Sequence, residues 1–377
     1  MSNQKKIVFL TGTRADFGKL KSLIKITQEN PNFDVQIFVT GMHLDDKYGF
    51  TVNEIYKSGF KNIYTFKNHV GAEFMDRTLA KTITGFSEYI ATQKPDLIVV
   101  HGDRVEALAG AIVGSLNNIL VSHIEGGEIS GTIDELIRHS VSKLAHLHLV
   151  SNEEAKGRLI QMGELESSIY VIGSPDLDLM NPLNLPNLKT VKEYYEIPFK
   201  EYAIVMFHPV TTDYKNIKES VKALVDALLK SDENYVVIYP NNDLGTEEIL
   251  EEYKRLKNNA RFKIYPSLRF EYFLRLLKET KFIIGNSSAG VREAPYYKVP
   301  TIDIGTRQHN RGQANSIMNV AYNSEEILSV INNIQSKKQE IIDVTEFGEG
   351  NSNQLFLHLL MSDVIWEVNC QKQFQDL

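Results

Sequence analysis

The sequence predicts an α/β protein built from two doubly wound parallel sheets. Short apolar, β-branched runs alternate with helical segments, the alternation breaks once at a proline-punctuated stretch, and it then restarts. Continuous apolar runs are what strands covered on both faces require, and intervening helices are what parallel neighbours require. With 377 residues the chain is long enough for two domains, each burying its own core.

In the first half the strand-like runs are Ile7–Leu10, Val35–Val39, Leu97–Val100, Ile119–Ser122, Leu147–Val150 and Ile169–Ile172. Gly173-Ser174-Pro175 then opens a stretch with proline at 175, 182 and 186 and no long periodic run, which reads as the linker. In the second half the runs are Ala203–Phe207, Tyr235–Tyr239, Phe262–Tyr265, Phe282–Ile284 and Thr301–Ile304, separated by helical segments such as Ile217–Leu229 and Glu247–Leu256. The expected domains are residues 1–178 and 188–350. The tail, 351–377, is expected to be helical from Asn351 to Phe374, with Leu355, Leu359 and Leu360 on one face packing back on the first domain.

Composition narrows the function. A chain that is 42% hydrophobic and 24% charged has the make-up of a folded globular protein rather than a disordered one. Its net charge of -7 argues against nucleic acid, so an anionic ligand needs a local cluster of donors. Cys370 is the one cysteine, which rules out an intramolecular disulfide and a cysteine zinc site and points to a reducing compartment. The polar start, Met1 to Lys6, leads into an apolar run too brief for a signal peptide or a membrane span, so the expected location is the cytoplasm.

In open parallel sheets ligands bind beyond the carboxyl ends of the strands, so chemistry is sought in the loops there. After the first strand, Thr11-Gly12-Thr13-Arg14-Ala15-Asp16-Phe17-Gly18-Lys19 is a glycine-bearing turn into a helix. Arg14 and Lys19 with free N–H groups suit a phosphate; a tight turn with solvated charges fits equally well. Neither a Walker loop nor a dinucleotide fingerprint is present. His101-Gly102-Asp103-Arg104-Val105-Glu106 offers Asp103 as a general base, on the side of His101 if strand geometry persists, or as an N-cap. His123-Ile124-Glu125-Gly126-Gly127-Glu128 repeats the histidine–acid spacing, and Asp134 follows at a helix start where Thr132 and Glu135 form a capping box. Asp103, Glu125 and Asp134 thereby converge on one point, where like charges separate an acid from a base.

The second half supplies His208 in Phe207-His208-Pro209, and an amide-rich turn, Pro240-Asn241-Asn242-Asp243, that suits a nucleobase or ribose but is by itself only a turn. Gly285-Asn286-Ser287-Ser288-Ala289-Gly290-Val291-Arg292-Glu293-Ala294-Pro295 is the strongest local signal. Small residues after a strand present N–H groups and hydroxyls to a diphosphate, with Glu293 one and a half turns into a helix to accept ribose hydroxyls; a capped helix with a buried acid is the alternative. In Gly305-Thr306-Arg307-Gln308, Arg307 can close over phosphates. His146 and His148 alternate on one strand without a third convergent ligand, so no metal is expected.

Taken in order, GTRADFGKL, HGDRVEALAG, HIEGGEISGTIDE with IRHS, GSPDLD, MFHPVTT, YPNND, GNSSAGVREAP and GTRQ resemble the UDP-N-acetylglucosamine 2-epimerase family across nearly the whole chain. Gly41-Met42-His43 and the long GGEISGTIDE loop resemble its hydrolysing branch, that of bacterial sialic-acid synthesis. The resemblance implies a glycosyltransferase-B-like fold, two Rossmann-like domains with an interdomain cleft holding UDP. It implies Asp103, Glu125 and Asp134 as acid–base carboxylates, with His208 near the diphosphate. Arg14, Lys19, Arg104, Asn241, Ser287, Ser288, Glu293 and Arg307 are the matching nucleotide positions.

The implied reaction takes UDP-N-acetylglucosamine and water to N-acetylmannosamine and UDP by anti-elimination through 2-acetamidoglucal, as the first step of sialic acid synthesis. No cofactor, no metal, no nucleic acid and no membrane partner are expected, and the resemblance implies a homodimer or homotetramer. Rival readings are a non-hydrolysing 2-epimerase, a hydrolysing epimerase for a UDP-diacetamido sugar, a glycosyltransferase on the same architecture, and a nucleotide-sensing module without turnover.

Overall fold

The computed structural model describes residues 4–68, 74–130, 133–180, 182–183, 185–308, 314–334, 347–373 and 375. The chain divides into two compact units, one from residues 1–128, 134–181 and 345–377, the other from 182–344 together with 129–133.

In the first unit β1 (Lys5–Thr11), β2 (Phe33–Val39), β3 (Ile63–Thr65), β4 (Leu97–His101), β5 (Leu120–Ile124), β6 (Leu147–Val150) and β7 (Ile169–Val171) form one sheet. Its order is β3-β2-β1-β4-β5-β6-β7. In the second unit β8 (Ala203–Met206), β9 (Tyr235–Ile238), β10 (Phe262–Tyr265), β11 (Ile283–Gly285), β12 (Thr301–Ile304) and β13 (Ile317–Val320) lie in the order β10-β9-β8-β11-β12-β13. All pairings are parallel. Strand order therefore reverses between β1 and β4 in one sheet and between β8 and β11 in the other. At such a switch point neighbouring loops part and leave a crevice at the carboxyl edge.

The apolar runs became strands because both faces are covered: Ile7, Val8 and Phe9 on β1, and Ile204 and Val205 on β8, are fully buried. β3 and β13 carry no such run. They are edge strands with partly exposed side chains, so one-sided burial left no continuous apolar pattern to read.

Two expectations need correction. The stretch read as a linker contains a short helix, Leu177–Met180, tied down because Asp178 accepts from Ser22 Oγ at 2.8 Å and from the backbone N–H of Ser352 at 2.8 Å and Asn353 at 2.9 Å. The tail is not one helix: Ser352–Met361 is helical, Ser362 is extended, and Val364–Glu367 forms a separate 3-10 turn, while Phe374 lies outside the described residues. Packing explains the break, since Phe356, Leu360 and Ile365 all enter the core of the first unit and a straight helix presents a single stripe. Phe356 meets Phe9 edge-on, with ring centroids 6.1 Å apart.

Candidate active site

In the first unit the loops after β1, β4 and β5 gather around the switch point. Thr13 caps the helix Arg14–Gln28 in a capping box with Asp16. Asp16 also accepts from Gly12 N at 3.0 Å and Thr13 N at 3.1 Å, while Thr11 Oγ1 lies 2.5 Å away. Burial raises its pKa, and those hydrogen bonds oppose the rise. His43 bridges Thr11 at 3.0 Å and Thr51 at 2.7 Å, and burial, helped by the Arg14 cation, pushes it down to about 3, so it is neutral. This network shapes the turn that carries Arg14. Lys19 turns inward and lies 3.2 Å from Asp176 and 3.4 Å from Glu125, so its ammonium serves two carboxylates of its own unit.

β4 ends at His101 because Gly102 takes φ 69°, and the strand alternation expected to carry on to Asp103 stops there. Arg104, not Asp103, is the N-cap of the helix Val105–Leu116, without a side-chain cap bond. Asp103 instead pairs with Arg138, from the helix Ile133–Leu144. Arg138 also donates to the Glu128 carbonyl at 3.0 Å. Burial alone would lower its pKa, but Asp103, Glu128 and Asp134 outweigh that and raise it, which keeps a cation among the three acids. Asp134 sits in the first turn of that helix, where negative charge is favoured; Thr132, the expected capping partner, lies outside the described residues.

Glu125 follows β5 in the left-handed region at φ 62°, a conformation costing a non-glycine residue about 1–2 kcal/mol. The next two residues show what imposes it. A Cβ on Gly126 would lie 2.8 Å from Ser142 Oγ, and one on Gly127 only 2.3 Å from the Ala155 carbonyl oxygen, so the chain leaves the strand through a gap only glycine fits. Glu125 is nearly fully buried, with His101 Nε2 at 3.0 Å, Lys19 Nζ at 3.4 Å, and the Ser174 hydroxyl donating to its other oxygen. His123 supports the floor: its ring bridges the Gly102 carbonyl at 2.8 Å and Ser142 Oγ at 3.0 Å, and burial lowers it to about 3.

The three expected carboxylates thus form two neighbouring groups, Glu125 with His101, Lys19 and Ser174, and Asp103 with Asp134 about Arg138. Sequence reasoning left His101, Arg138, Ser174 and Asp176 out of the site. His101 and the GSPDLD run stood in conspicuous strand-end segments, and Arg138 stood in the IRHS motif, but none of these was given a role in the site.

In the second unit Asn286 ties three strand ends together. Fully buried, it accepts from His208 N at 2.7 Å and donates to the His208 carbonyl at 2.9 Å, and its own carbonyl accepts from Arg307 at 3.2 Å and Gln308 at 3.0 Å. His208 Nδ1 accepts from Asn241 N at 3.1 Å, which leaves Nε2 to carry the proton of a neutral ring. Gly285 has φ 141° and a Cβ there would lie 1.9 Å from the Met206 carbonyl oxygen, so no other residue fits between β8 and β11. Ser287 Oγ accepts from Ala289 N at 3.3 Å and caps a 3-10 turn, Ser288–Gly290. The single helix expected after Ser288 is absent. Glu293, nearly fully buried, begins a separate four-residue helix, because Pro295 lacks an N–H and Gly290 packs tightly under Thr301.

His146 and His148 serve the scaffold: His146 accepts from Val121 N at 3.0 Å and meets the Cys370 carbonyl at 2.9 Å, and His148 meets Glu164 at 2.9 Å. Among the described residues no three His, Cys, Asp or Glu side chains converge as metal ligands, and no helix is long and apolar enough to cross a membrane.

The family model for UDP-N-acetylglucosamine 2-epimerase matches residues 25–361. A UDP-N-acetylglucosamine 2-epimerase of Neisseria meningitidis serogroup B is 48% identical over 375 residues, 99% of either chain. A UDP-N,N'-diacetylbacillosamine 2-epimerase (hydrolyzing) of Legionella pneumophila is 32% identical over 360 residues, covering 94% of this chain and 95% of its own. The crystal structure of the Methanocaldococcus jannaschii UDP-GlcNAc 2-epimerase, in complex with UDP-GlcNAc and UDP, has a TM-score of 0.80 at 24% identity, covering 94% of this chain and 99% of that one. The shared fold is glycosyltransferase-B-like, with two Rossmann-like domains.

Proposed function

The chain belongs to the UDP-N-acetylglucosamine 2-epimerase family, and from that premise we propose that it converts UDP-N-acetylglucosamine and water to N-acetylmannosamine and UDP. The observation that carries the reading is the acid cluster of the first unit, where Glu125 is held in a strained conformation beside His101, Lys19 and Ser174, and Asp103 beside Arg138. Strain of this kind persists only where surrounding contacts over-determine it, and an oriented carboxylate is what proton transfer at carbon requires.

The proton on carbon 2 is not acidic alone, so its loss accompanies departure of UDP. One carboxylate takes the proton, the bond from carbon 1 to the phosphate oxygen breaks, and 2-acetamidoglucal forms. Arg14, Arg104, Arg307 and the Ser287-Ser288 turn would stabilise charge on the leaving diphosphate, with His208 Nε2–H beside it, while Asn241 and Glu293 serve the nucleoside. Water then adds its oxygen to carbon 1, and carbon 2 receives a proton on the opposite face, which inverts it. Two faces need two proton carriers: Asp103 and Glu125 take one each, and Asp134 assists the water step. Lys19, nominally a phosphate ligand, serves this scheme by positioning Glu125.

The hydrolysing mode rests on Gly41-Met42-His43 and the long acidic loop, and a hydrolysing relative covers nearly the same length. The sugar so released starts sialic acid synthesis, in the cytoplasm, by a homodimer or homotetramer. Proton NMR of the reaction in deuterium oxide tests it: free N-acetylmannosamine deuterated at carbon 2 is expected. A product still bearing UDP would overturn hydrolysis, and a transferred sugar with its carbon 2 proton retained would overturn epimerisation. The 32% identical relative favours one second reading, a UDP-diacetamido sugar as substrate, decided by offering both nucleotides to the same sample.

A further inference from the structure

Glu106 is a buried acid with no part in the proton transfers. It lies in the first turn of the helix Val105–Leu116 and is only 1% exposed. The loops after β1, β2 and β3 all meet its side chain. A Cβ on Gly12, in the turn after β1, would lie 2.8 Å from Glu106 Cγ. One on Gly41, after β2, would lie 2.8 Å from Glu106 Oε1 and 2.5 Å from the Gly12 carbonyl oxygen, so both loops rest on the acid through bare backbone. Asn68, beyond β3, joins the same group. Its Nδ2 donates to Glu106 Oε1 at 3.4 Å and to Thr82 Oγ1 at 2.9 Å, and its Oδ1 accepts from Gly41 N at 3.2 Å.

The other carboxylate oxygen meets Arg104, the N-cap residue of the same helix, whose side chain makes no cap bond. Arg104 Nε lies 3.9 Å from Glu106 Oε2, a contact of opposite charges rather than a hydrogen bond, with the two side chains 14% and 2% exposed. A guanidinium is a rigid planar fork, so a carboxylate at Nε fixes the plane in which the rest of it lies. The edge formed by the two terminal nitrogens is the one that matches a pair of phosphate oxygens.

We propose that Glu106 is a positioning residue for the diphosphate: seated on Gly12, Gly41 and Asn68, it holds Arg104 through Nε and so aims the terminal nitrogens at the phosphate oxygens. Glu106 itself touches no substrate. Gly12 and Arg14 belong to one turn, so the same carboxylate sets the two arginines in register with each other. This rests on the reading of Arg104 as a ligand of the diphosphate. A donor that is slightly misplaced loses part of its hold on the charge that builds on the leaving phosphate.

Turnover of UDP-N-acetylglucosamine by the full-length protein, beside calorimetry of UDP, tests this in Glu106→Gln, Arg104→Met and the double variant. Glu106→Met is a second neutral variant of like length, and thermal unfolding of each protein verifies that it is folded. Arg104→Met is expected to weaken UDP binding and to lower kcat/KM by about 10²-fold. Glu106→Gln is expected to lower kcat/KM about tenfold while Arg104 is present, and by less than about twofold once Arg104 is methionine, because the two residues act as one unit. An equal loss in both backgrounds, or no loss in either, overturns the positioning role and leaves Glu106 as packing, with the diphosphate reading of Arg104 intact. An Arg104→Met protein that binds UDP and turns over as the wild type does overturns that reading and the positioning with it.

Discussion

At the residue scale the informative feature is which partner each charged side chain chooses. Asp103, which the sequence offered as a helix cap, stands one residue before the cap and pairs with Arg138, and Lys19 sits near a helix start yet turns to Glu125 and Asp176. Both choices concentrate the cations of the first unit on its acids, which aims those acids without consuming all of their oxygens. Asp103→Asn, Glu125→Gln and Asp134→Asn, each keeping shape while removing the base, should each lower turnover by about 10²-fold or more with UDP affinity nearly unchanged. Turnover in the three variants beside UDP calorimetry checks it, and wild-type rates in all three would remove the carboxylates from the mechanism.

At the scale of elements, short pieces of chain are held by single polar residues. Asn286 fastens the ends of β8, β11 and β12, and Lys372 fastens the tail by donating to the Ala145 carbonyl at 2.7 Å and to Glu164 at 2.5 Å. Burial of Glu164 would raise its pKa, but hydrogen bonds from His148, Lys143 and Lys372 outweigh that and hold it at about 2. Its folded value lies below the ordinary 4.5, so its stabilising contribution is present above about pH 4.5 and is lost as pH falls toward 2. Urea midpoints measured between about pH 5 and pH 2.5 should fall more steeply for the wild type than for Glu164→Gln. Equal slopes would mean that the tail clasp is not proton-linked.

At the scale of the molecule, each unit has its own core, and the chain enters the first unit's core twice. Phe9, Leu20 and Ile24 come from the start of the chain and Phe356, Leu360 and Ile365 from its end. Among the described residues the buried side chains of the second core come from residues 203 to 331. Phe356→Ala should therefore cost about 3–5 kcal/mol in the first unit and little in the second. Amide hydrogen exchange would show this as lost protection on β1, β2 and the helix Arg14–Gln28, with β8, β9 and β11 unchanged; uniform loss would mean the cores are not separate.

The sequence by itself determined the fold class, because strands buried on both faces are locally apolar and the runs at 147–150, 235–238 and 301–304 need no partner to be recognised. It also determined the family, since eight motifs in order leave little room for coincidence. Edge strands β3 and β13 stayed hidden because half-exposed residues carry no such run, and the tail helix was drawn too long because periodicity does not say where a stripe must re-aim. Only tertiary structure decided that Asp103 belongs to Arg138, that Lys19 belongs to Glu125, and that Asp303 lies buried. Pairing and desolvation depend on neighbours that are distant in the chain, and no local pattern records them.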